Sequence, residues 1–293
     1  MGQCSSTPAL PAGAGITAMH AAAASGNVMH ILSIGEQDEK CGRVLSINST
    51  DRNASTPLHH AAFEGQLGSV RALLSLGANT RAVNSRKFTP LHLAASQGYT
   101  AVVQCLLVAD ASAAGAQDRD GWTPLMCAAA KGHCNCINLL ARVAHNLEAR
   151  SIAGSTALLL AANAGEANAV RTLLSLGANP AAANDAGCTA AHLAAQCAPS
   201  SVHASSFLYI LRYLLEKGAP PDARARGGNC PIHLAAAAGS VEAVKLLLHF
   251  KADAYVLNEQ GLSPLQVAVD KGRSAVVNVL LPLEYPEPAV SGK

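Results

Sequence analysis

The sequence has few aromatic and few charged side chains, although half of it is hydrophobic. Aromatic residues make up 3% and charged residues 14% of the 293 positions, against 50% hydrophobic residues. The apolar content is therefore mostly small and aliphatic, which excludes a disordered chain. Because the sequence contains 21 Lys and Arg and 19 Asp and Glu, the net charge is only +2. This balance provides no large basic field for nucleic acid, and we expect no nucleic-acid partner.

The sequence also lacks long hydrophobic runs and a regular cysteine pattern. Its longest apolar stretches, such as residues 156–163, fall far short of the roughly 20 residues that span a bilayer. The nine cysteines are an odd number at irregular spacing, and no secretory signal pattern opens the chain. We therefore expect a chain that resides in the reducing cytoplasm.

Motifs for catalysis are absent from the sequence. It contains no Gly-rich phosphate loop, nucleophile elbow or kinase signature. His133, Cys134 and Cys136, with Cys127 nearby, form the one local cluster with metal-ligand chemistry. That cluster lacks the second ligand pair of a zinc site, so a structural interpretation is favoured. We expect no catalytic residue, no metal and no cofactor.

A repeated motif accounts for most of the chain. The Thr-Pro-Leu-His segment at 56–59 returns at 89–92, one period of 33 residues later. Related segments give eight starts: Thr17, Thr56, Thr89, Thr123, Thr156, Thr189, Cys230 and Ser263. Four of the seven intervals between these starts are 33 residues, and this period is typical of stacked repeat arrays. The longest intervals indicate insertions near 37–44, in the turn after repeat one, and near 197–205, between the two helices of repeat six.

Each repeat predicts a turn, a short helix, a loop and a second helix. In repeat two, Thr56 is a natural N-cap and Pro57 suits the first helical turn. Gly65 and Gly77 mark the ends of the two helices. A glycine two residues before most repeat starts indicates a tight reversing turn.

The order Thr-Pro-Leu-His, Ala-Ala, Gly, Leu-Leu and Gly-Ala-Asn in residues 56–79 resembles the ankyrin-repeat family. Residues 156–179 follow the same order closely. The resemblance implies an all-α repeat solenoid, an ankyrin-repeat array of paired short antiparallel helices with projecting turns. About eight repeats would cover residues 14–281. The resemblance also implies structural hydrogen bonds to neighbouring turns for the motif histidines His20, His59, His92, His192 and His233.

The amino terminus matches a lipidation pattern. The opening sequence MGQCSS has the glycine and the serine of an N-myristoylation motif, with Gly2 as the acceptor. One myristoyl chain binds membranes only marginally, and no Lys or Arg precedes Lys40. Palmitoylation of Cys4 is therefore the predicted second signal, and an inert Cys4 thiol is the alternative. Residues 1–13 would form an acylated flexible tether at the cytoplasmic face of the plasma membrane or an endomembrane.

The ankyrin resemblance also implies where a protein partner binds. Family members bind partners along the projecting turns and the exposed face of each first helix. In repeats two to four, these positions hold aromatic and cationic residues that favour binding hot spots. The predicted partner-binding residues are Arg52, Phe63, Arg86, Phe88, Arg119, Trp122 and Lys131. The alternative is that they pack only between adjacent turns.

The sequence favours a monomeric, non-enzymatic protein-interaction scaffold or adaptor that acylation attaches to a membrane surface. Its plan is similar to plant ubiquitin ligases in which an ankyrin array precedes a RING, but paired Cys-x-x-Cys ligands do not follow Ser263. One alternative is therefore a substrate-recognition subunit whose RING is on another chain. A second alternative is a stoichiometric inhibitor of a kinase or transcription factor.

Residues 282–293 are predicted to form a Pro-containing tail. Pro282 is expected to end the last helix, because proline lacks the N–H that a helix needs. We also expect the tail to fold back, with Leu283 and Tyr285 covering the apolar flank of the final repeat.

Overall fold

The computed structural model describes residues 17–40, 46–144, 146–196 and 204–284. The chain divides into two compact units, Met1–Asn146 and Leu147–Lys293. We call them unit one and unit two. Within the described ranges both are built from helices, with a single isolated β-bridge between Ala183 and Thr189.

In the residues that the structure describes, unit one contains four helix pairs. Helices α1, α3, α5 and α7 pack side by side as an inner row, and α2, α4, α6 and α8 pack as an outer row against them. In chain order, α1 to α8 are Ala18–Ser25, Val28–Lys40, Pro57–Phe63, Leu67–Ser75, Pro90–Gln97, Thr100–Ala109, Pro124–Ala130 and Cys134–Ala144.

Among its described residues, unit two repeats this arrangement with four further pairs. Helices α9, α11, α13 and α15 form its inner row, and α10, α12, α14 and α16 form its outer row. In chain order, α9 to α16 are Ala157–Ala164, Ala167–Ser175, Ala190–Ala195, Ala204–Glu216, Pro231–Ala238, Val241–His249, Pro264–Asp270 and Ser274–Glu284.

The helix boundaries follow the local chemistry that the sequence indicates. The Thr89 hydroxyl accepts a hydrogen bond from the His92 N–H at the start of α5, and Pro90 is the first residue of that helix. Gly65 and Gly77 take positive φ angles of 72° and 87° after the two helices of repeat two. The predicted order of turn, helix, loop and helix is therefore confirmed wherever the structure describes all four elements of a repeat.

Alanine pairs allow the inner helices to pack closely. Ala61 and Ala62 of α3, and Ala94 and Ala95 of α5, are fully buried between neighbouring helices. In most repeats a buried leucine or isoleucine near the start of the inner helix, together with others in the outer helix, fills the remaining space, whereas Met19 and Ala191 take the inner position in repeats one and six. Small residues at the contact let the core close without large aromatic side chains.

The two insertions have different structural outcomes. The first was expected in the projecting turn, but α2 continues through Lys40 and so absorbs residues 37–40 into the outer helix. The buried Asp38 carboxylate then accepts hydrogen bonds from the N–H and the hydroxyl of Ser46, at 2.9 and 2.7 Å. This carboxylate gives the extended helix a local anchor, which the sequence pattern did not reveal. The second insertion lies between α11 and α12, as predicted, and residues 197–203 are outside the described ranges.

The expected end of the last helix at Pro282 is wrong. Helix α16 passes through Pro282 and ends at Glu284. A proline this close to a helix end removes a single backbone hydrogen bond, and the Tyr255 hydroxyl donates to the Leu283 carbonyl in the last turn. Leu283 lies on this helix and is exposed, so it does not form the expected cap, and Tyr285 lies outside the described residues.

Within the described ranges, none of the helices combines the length and the apolar character that a membrane crossing requires.

Candidate protein-binding surface

The projecting turns share one hydrogen-bond design. The first residue of each turn accepts the N–H of the fifth residue through its side-chain oxygen in six of the seven described turns. These first residues are Asp51, Asn84, Asp118, Ser151, Asn184 and Asn258. Ala225 begins the seventh turn and has no such oxygen, although its backbone N–H still bonds to the Asn229 carbonyl. Local side-chain bonds of this kind fix the shape of the turn.

Backbone hydrogen bonds join consecutive turns within each unit. In unit one, Ser85 N–H donates to the Asn53 carbonyl at 2.8 Å, and Arg119 N–H donates to the Arg86 carbonyl at 3.2 Å. Unit two contains three bonds of the same type, at Asp185, Arg226 and Glu259. The turn tips of each unit therefore form a continuous, fixed surface.

The motif histidines connect each inner helix to the next turn. In all five, Nδ1 accepts the backbone N–H of the motif's first residue, and Nε2 donates to a carbonyl in the following turn at 2.9 to 3.1 Å. His59 donates in this way to Phe88, and His92 donates to Trp122. The structural role implied for these histidines is confirmed.

Burial keeps these imidazoles neutral. It lowers the pKa of His59 to about 4, although the bond to the Phe88 carbonyl opposes the shift. Burial likewise lowers the pKa of His20, His92, His192 and His233. A neutral ring can accept at Nδ1 and donate at Nε2, which is the arrangement that both hydrogen bonds require.

Five of the seven predicted partner-binding residues stand on the turns of unit one. The side chains of Arg52, Arg86 and Arg119 are exposed at the turn tips. Phe88 and Trp122 occupy the last position of their turns and are half-buried. Their carbonyls accept hydrogen bonds from His59 and His92, so the backbone positions from which the two rings project are fixed. We call these five residues the turn row.

The other two predicted residues lie at the carboxyl ends of inner helices. Phe63 is the last residue of α3 and is 44% exposed. Lys131 follows the last residue of α7 and is exposed. The turn row and these helix ends supply aromatic and cationic side chains at both borders of the inner helices of unit one.

Sequence reasoning missed Lys87. It is exposed beside Arg86 and has a φ angle of 60°, at the turn position where later repeats place glycine. Ala54 takes the same left-handed conformation in the preceding turn, with a φ angle of 57°. The signal was present in the sequence, because these are the two repeats that lack the glycine. A lysine in this conformation is uncommon and costs conformational energy.

Sequence reasoning also missed an open cleft in unit two. Its volume is about 360 Å³. Leu234, Ala237 and Ala238 of α13 provide apolar lining, and Arg226 and Asn229 of the adjoining turn provide polar groups. The cleft also includes Cys188 and Gln196.

The cysteine and histidine cluster of repeat four is part of the packing. Cys127 and Cys136 are buried, and burial raises the pKa of the Cys127 thiol to about 12. The His133 ring bonds to the Ser96 carbonyl at 3.0 Å and lies against Gly98. Within the described ranges, no three His, Cys, Asp or Glu side chains are grouped to hold a metal ion. Gly2 and Cys4, the predicted lipidation residues, lie outside those ranges.

Comparisons with known proteins agree with this architecture. A family model for ankyrin repeats (3 copies) matches residues 4–84, 76–151, 143–225 and 201–289. The crystal structure of the ankyrin repeat domain of Bcl-3, a unique member of the IkappaB protein family, is similar with a TM-score of 0.68 and 25% sequence identity. That similarity covers 80% of this chain and 99% of the Bcl-3 chain. A search of curated proteins gave no match. Since the family model spans most of the chain, this chain belongs to the ankyrin-repeat family.

Proposed function

We propose that this chain is a non-enzymatic scaffold or adaptor whose protein partner docks on the turn row of unit one. Ankyrin repeats mediate binding to other proteins, and the matched family is an interaction module. The observation that carries the proposal is the fixed set of turns that presents Phe88 and Trp122 among arginines. Aromatic and arginine side chains on a rigid base are typical of binding hot spots, because little entropy is lost when they are ordered.

The fixed backbone separates binding from folding at these positions. The Trp122 carbonyl accepts a hydrogen bond from His92, and the Trp122 N–H donates to the Asp118 carboxylate. The indole is half-buried and takes no part in these two bonds. The Arg119 side chain is exposed, whereas its backbone N–H donates to the Arg86 carbonyl of the preceding turn. Truncation of either side chain to alanine therefore leaves the hydrogen bonds of the turns intact.

Affinity purification with matched variants tests the docking site. Wild type, Trp122→Ala and Arg119→Ala would be compared with Arg71→Ala, which removes an exposed arginine of α4 away from the turns. We expect a partner that is recovered with wild type and Arg71→Ala and is depleted with the two turn variants. Equal recovery with all four proteins would contradict docking on the turn row.

The second part of the proposal is attachment to a membrane through myristate on Gly2 and palmitate on Cys4. It is supported by the MGQCSS start and by the absence of Lys and Arg before Lys40. Two acyl chains would give stable attachment, whereas one would give only weak, reversible binding.

Intact-mass measurement of protein from eukaryotic cells tests the two modifications separately. We expect both acyl groups on wild type, myristate alone on Cys4→Ser and neither on Gly2→Ala. An unmodified Gly2 in wild type would contradict membrane attachment and leave the docking proposal intact.

The inhibitor alternative is supported by the similarity to the Bcl-3 domain of the IkappaB protein family. An inhibitor would lower the activity of the captured partner in proportion to the amount of chain added, up to one equivalent. A scaffold would leave that activity unchanged. Titration of the purified partner with this chain separates the two functions.

A further inference from the structure

The turn tips of unit one carry a group of cations. Ser85 donates to Asn53 and Arg119 donates to Arg86 through the backbone, so the three tips are held side by side. Four of their side chains are cationic and exposed: Arg52, Arg86, Lys87 and Arg119. We call these four residues the cation group.

Two carboxylates near the cation group accept hydrogen bonds within the turns. Asp51 and Asp118 are buried, and each accepts two backbone N–H groups at 2.8 Å. Asp51 also accepts a hydrogen bond from His60 Nε2 at 3.0 Å. Asp120 is the one exposed carboxylate on the described tips of unit one, and Glu64 is exposed at the end of α3. The outer surface of the tips is therefore positive, although buried negative charge lies beneath it.

Two other arginines of this chain have acidic partners. Arg81 pairs with Asp110 at 2.7 Å in unit one, and Arg150 pairs with Asp185 at 2.8 Å in unit two. Within the described ranges, no member of the cation group has an ion pair of this kind. Exposed like charges held side by side repel one another, and a partner that supplies negative charge relieves that repulsion.

Aromatic rings lie within the same short turns. Phe88 follows Lys87 directly, and Trp122 closes the turn that begins with Asp118. Both rings are half-buried, so each still offers apolar surface to a partner. The surface thus alternates cationic and aromatic groups over neighbouring turns.

We propose that the partner segment bound by unit one is an acidic peptide, with carboxylates that reach the cation group and an apolar side chain that contacts Phe88 or Trp122. This inference rests on the proposed function, because it specifies the chemistry of the same docking surface. Carboxylates match guanidinium groups in shape and charge, and arginine forms paired hydrogen bonds with them.

Selection from a random 12-residue peptide display library tests the inference on the full chain. We expect wild type to enrich peptides rich in Asp and Glu that also contain aromatic or aliphatic residues. A synthetic enriched peptide should lose about tenfold or more in affinity on Arg86→Glu/Arg119→Glu, and also when salt rises from low to high ionic strength. The matched control Arg71→Glu reverses one exposed charge on α4 and should bind like wild type.

The outcomes separate the inference from the proposed function. Neutral or basic peptides whose binding requires Trp122 would overturn the acidic partner while supporting the docking surface. Acidic peptides that bind equally to wild type and Trp122→Ala, and to the charge-reversed variant, would contradict both. Failure to enrich any peptide would overturn the inference, since it requires a linear acidic segment. Tighter binding to phosphatidylserine vesicles or duplex DNA than to every peptide would also overturn it.

Discussion

The five motif histidines illustrate how single buried side chains determine the array. Each ring accepts a backbone N–H at the start of its own helix through Nδ1 and donates to a carbonyl of the next turn through Nε2. His59 makes these bonds with Thr56 and Phe88. Leaving either group unpaired in the interior would cost about 1 to 3 kcal/mol. These rings therefore contribute to repeat stacking, and their protonation state contributes to stability.

The lowered pKa of His59 predicts a loss of stability in acid. Its value of about 4 in the folded chain lies below the ordinary 6.5, so the unfolded chain takes up the proton first as pH falls. This stabilising contribution of about 3 kcal/mol is complete above pH 6.5. It is lost as the pH falls from 6.5 to about 4. Urea unfolding across this range measures the slope.

A glutamine variant provides the control for this prediction. Gln266 in the last repeat accepts the Ser263 N–H at 2.8 Å through Oε1, as the histidines do through Nδ1. His59→Gln should therefore keep the helix start and show a shallower loss of stability in acid than wild type. Identical slopes for the two proteins would show that His59 does not titrate as described.

The projecting turns show how one local element is specified. A side-chain oxygen at the first position, an internal backbone bond and a left-handed fourth residue together define each turn, as in the segment from Asp118 through Gly121 to Trp122. The element tolerates changes in the residues that supply these features. Ala54 and Lys87 replace the glycine, and Ala225 replaces the oxygen-bearing residue.

Restoring the missing oxygen at Ala225 should stabilise unit two. An asparagine there could accept the Asn229 N–H, as Asn184 accepts that of Cys188 at 3.0 Å in the preceding turn. We expect Ala225→Asn to raise the free energy of unfolding by about 1 kcal/mol. Ala225→Val, which adds volume without an acceptor, is the control in thermal unfolding. Equal melting temperatures for the two variants would contradict the role of the side-chain oxygen.

Prediction from the sequence succeeded where one repeat specifies its own structure. The spacing of Thr56, Gly65 and Gly77 predicts helix boundaries because capping and left-handed glycine act within a few residues. It failed where a more distant contact decides the outcome. Asp38 anchors the extended α2 through Ser46, and the Tyr255 hydroxyl reaches the last turn of α16. Both contacts depend on the folded positions of residues separated along the chain.

The chain as a whole combines two compact ankyrin units whose exposed surfaces differ in chemistry. Unit one presents cations and aromatic rings on its turns, whereas unit two contains the open cleft lined by Leu234 and Arg226. The repeat period predicted the helix pairs of both units. It did not predict the cleft, because a cleft depends on side chains that different helices and turns bring together. Docking on unit one remains the central functional claim.

The affinity of the purified partner for Trp122→Ala, measured by calorimetry beside wild type, tests that claim most directly. We predict a loss of about 2 kcal/mol or more in binding free energy, roughly thirtyfold in Kd, with little change in melting temperature. Arg119→Ala should weaken binding in the same direction with little change in melting temperature, since its side chain is exposed. Unchanged affinity per folded molecule together with a large fall in melting temperature would contradict the account, because Trp122 would then serve packing alone.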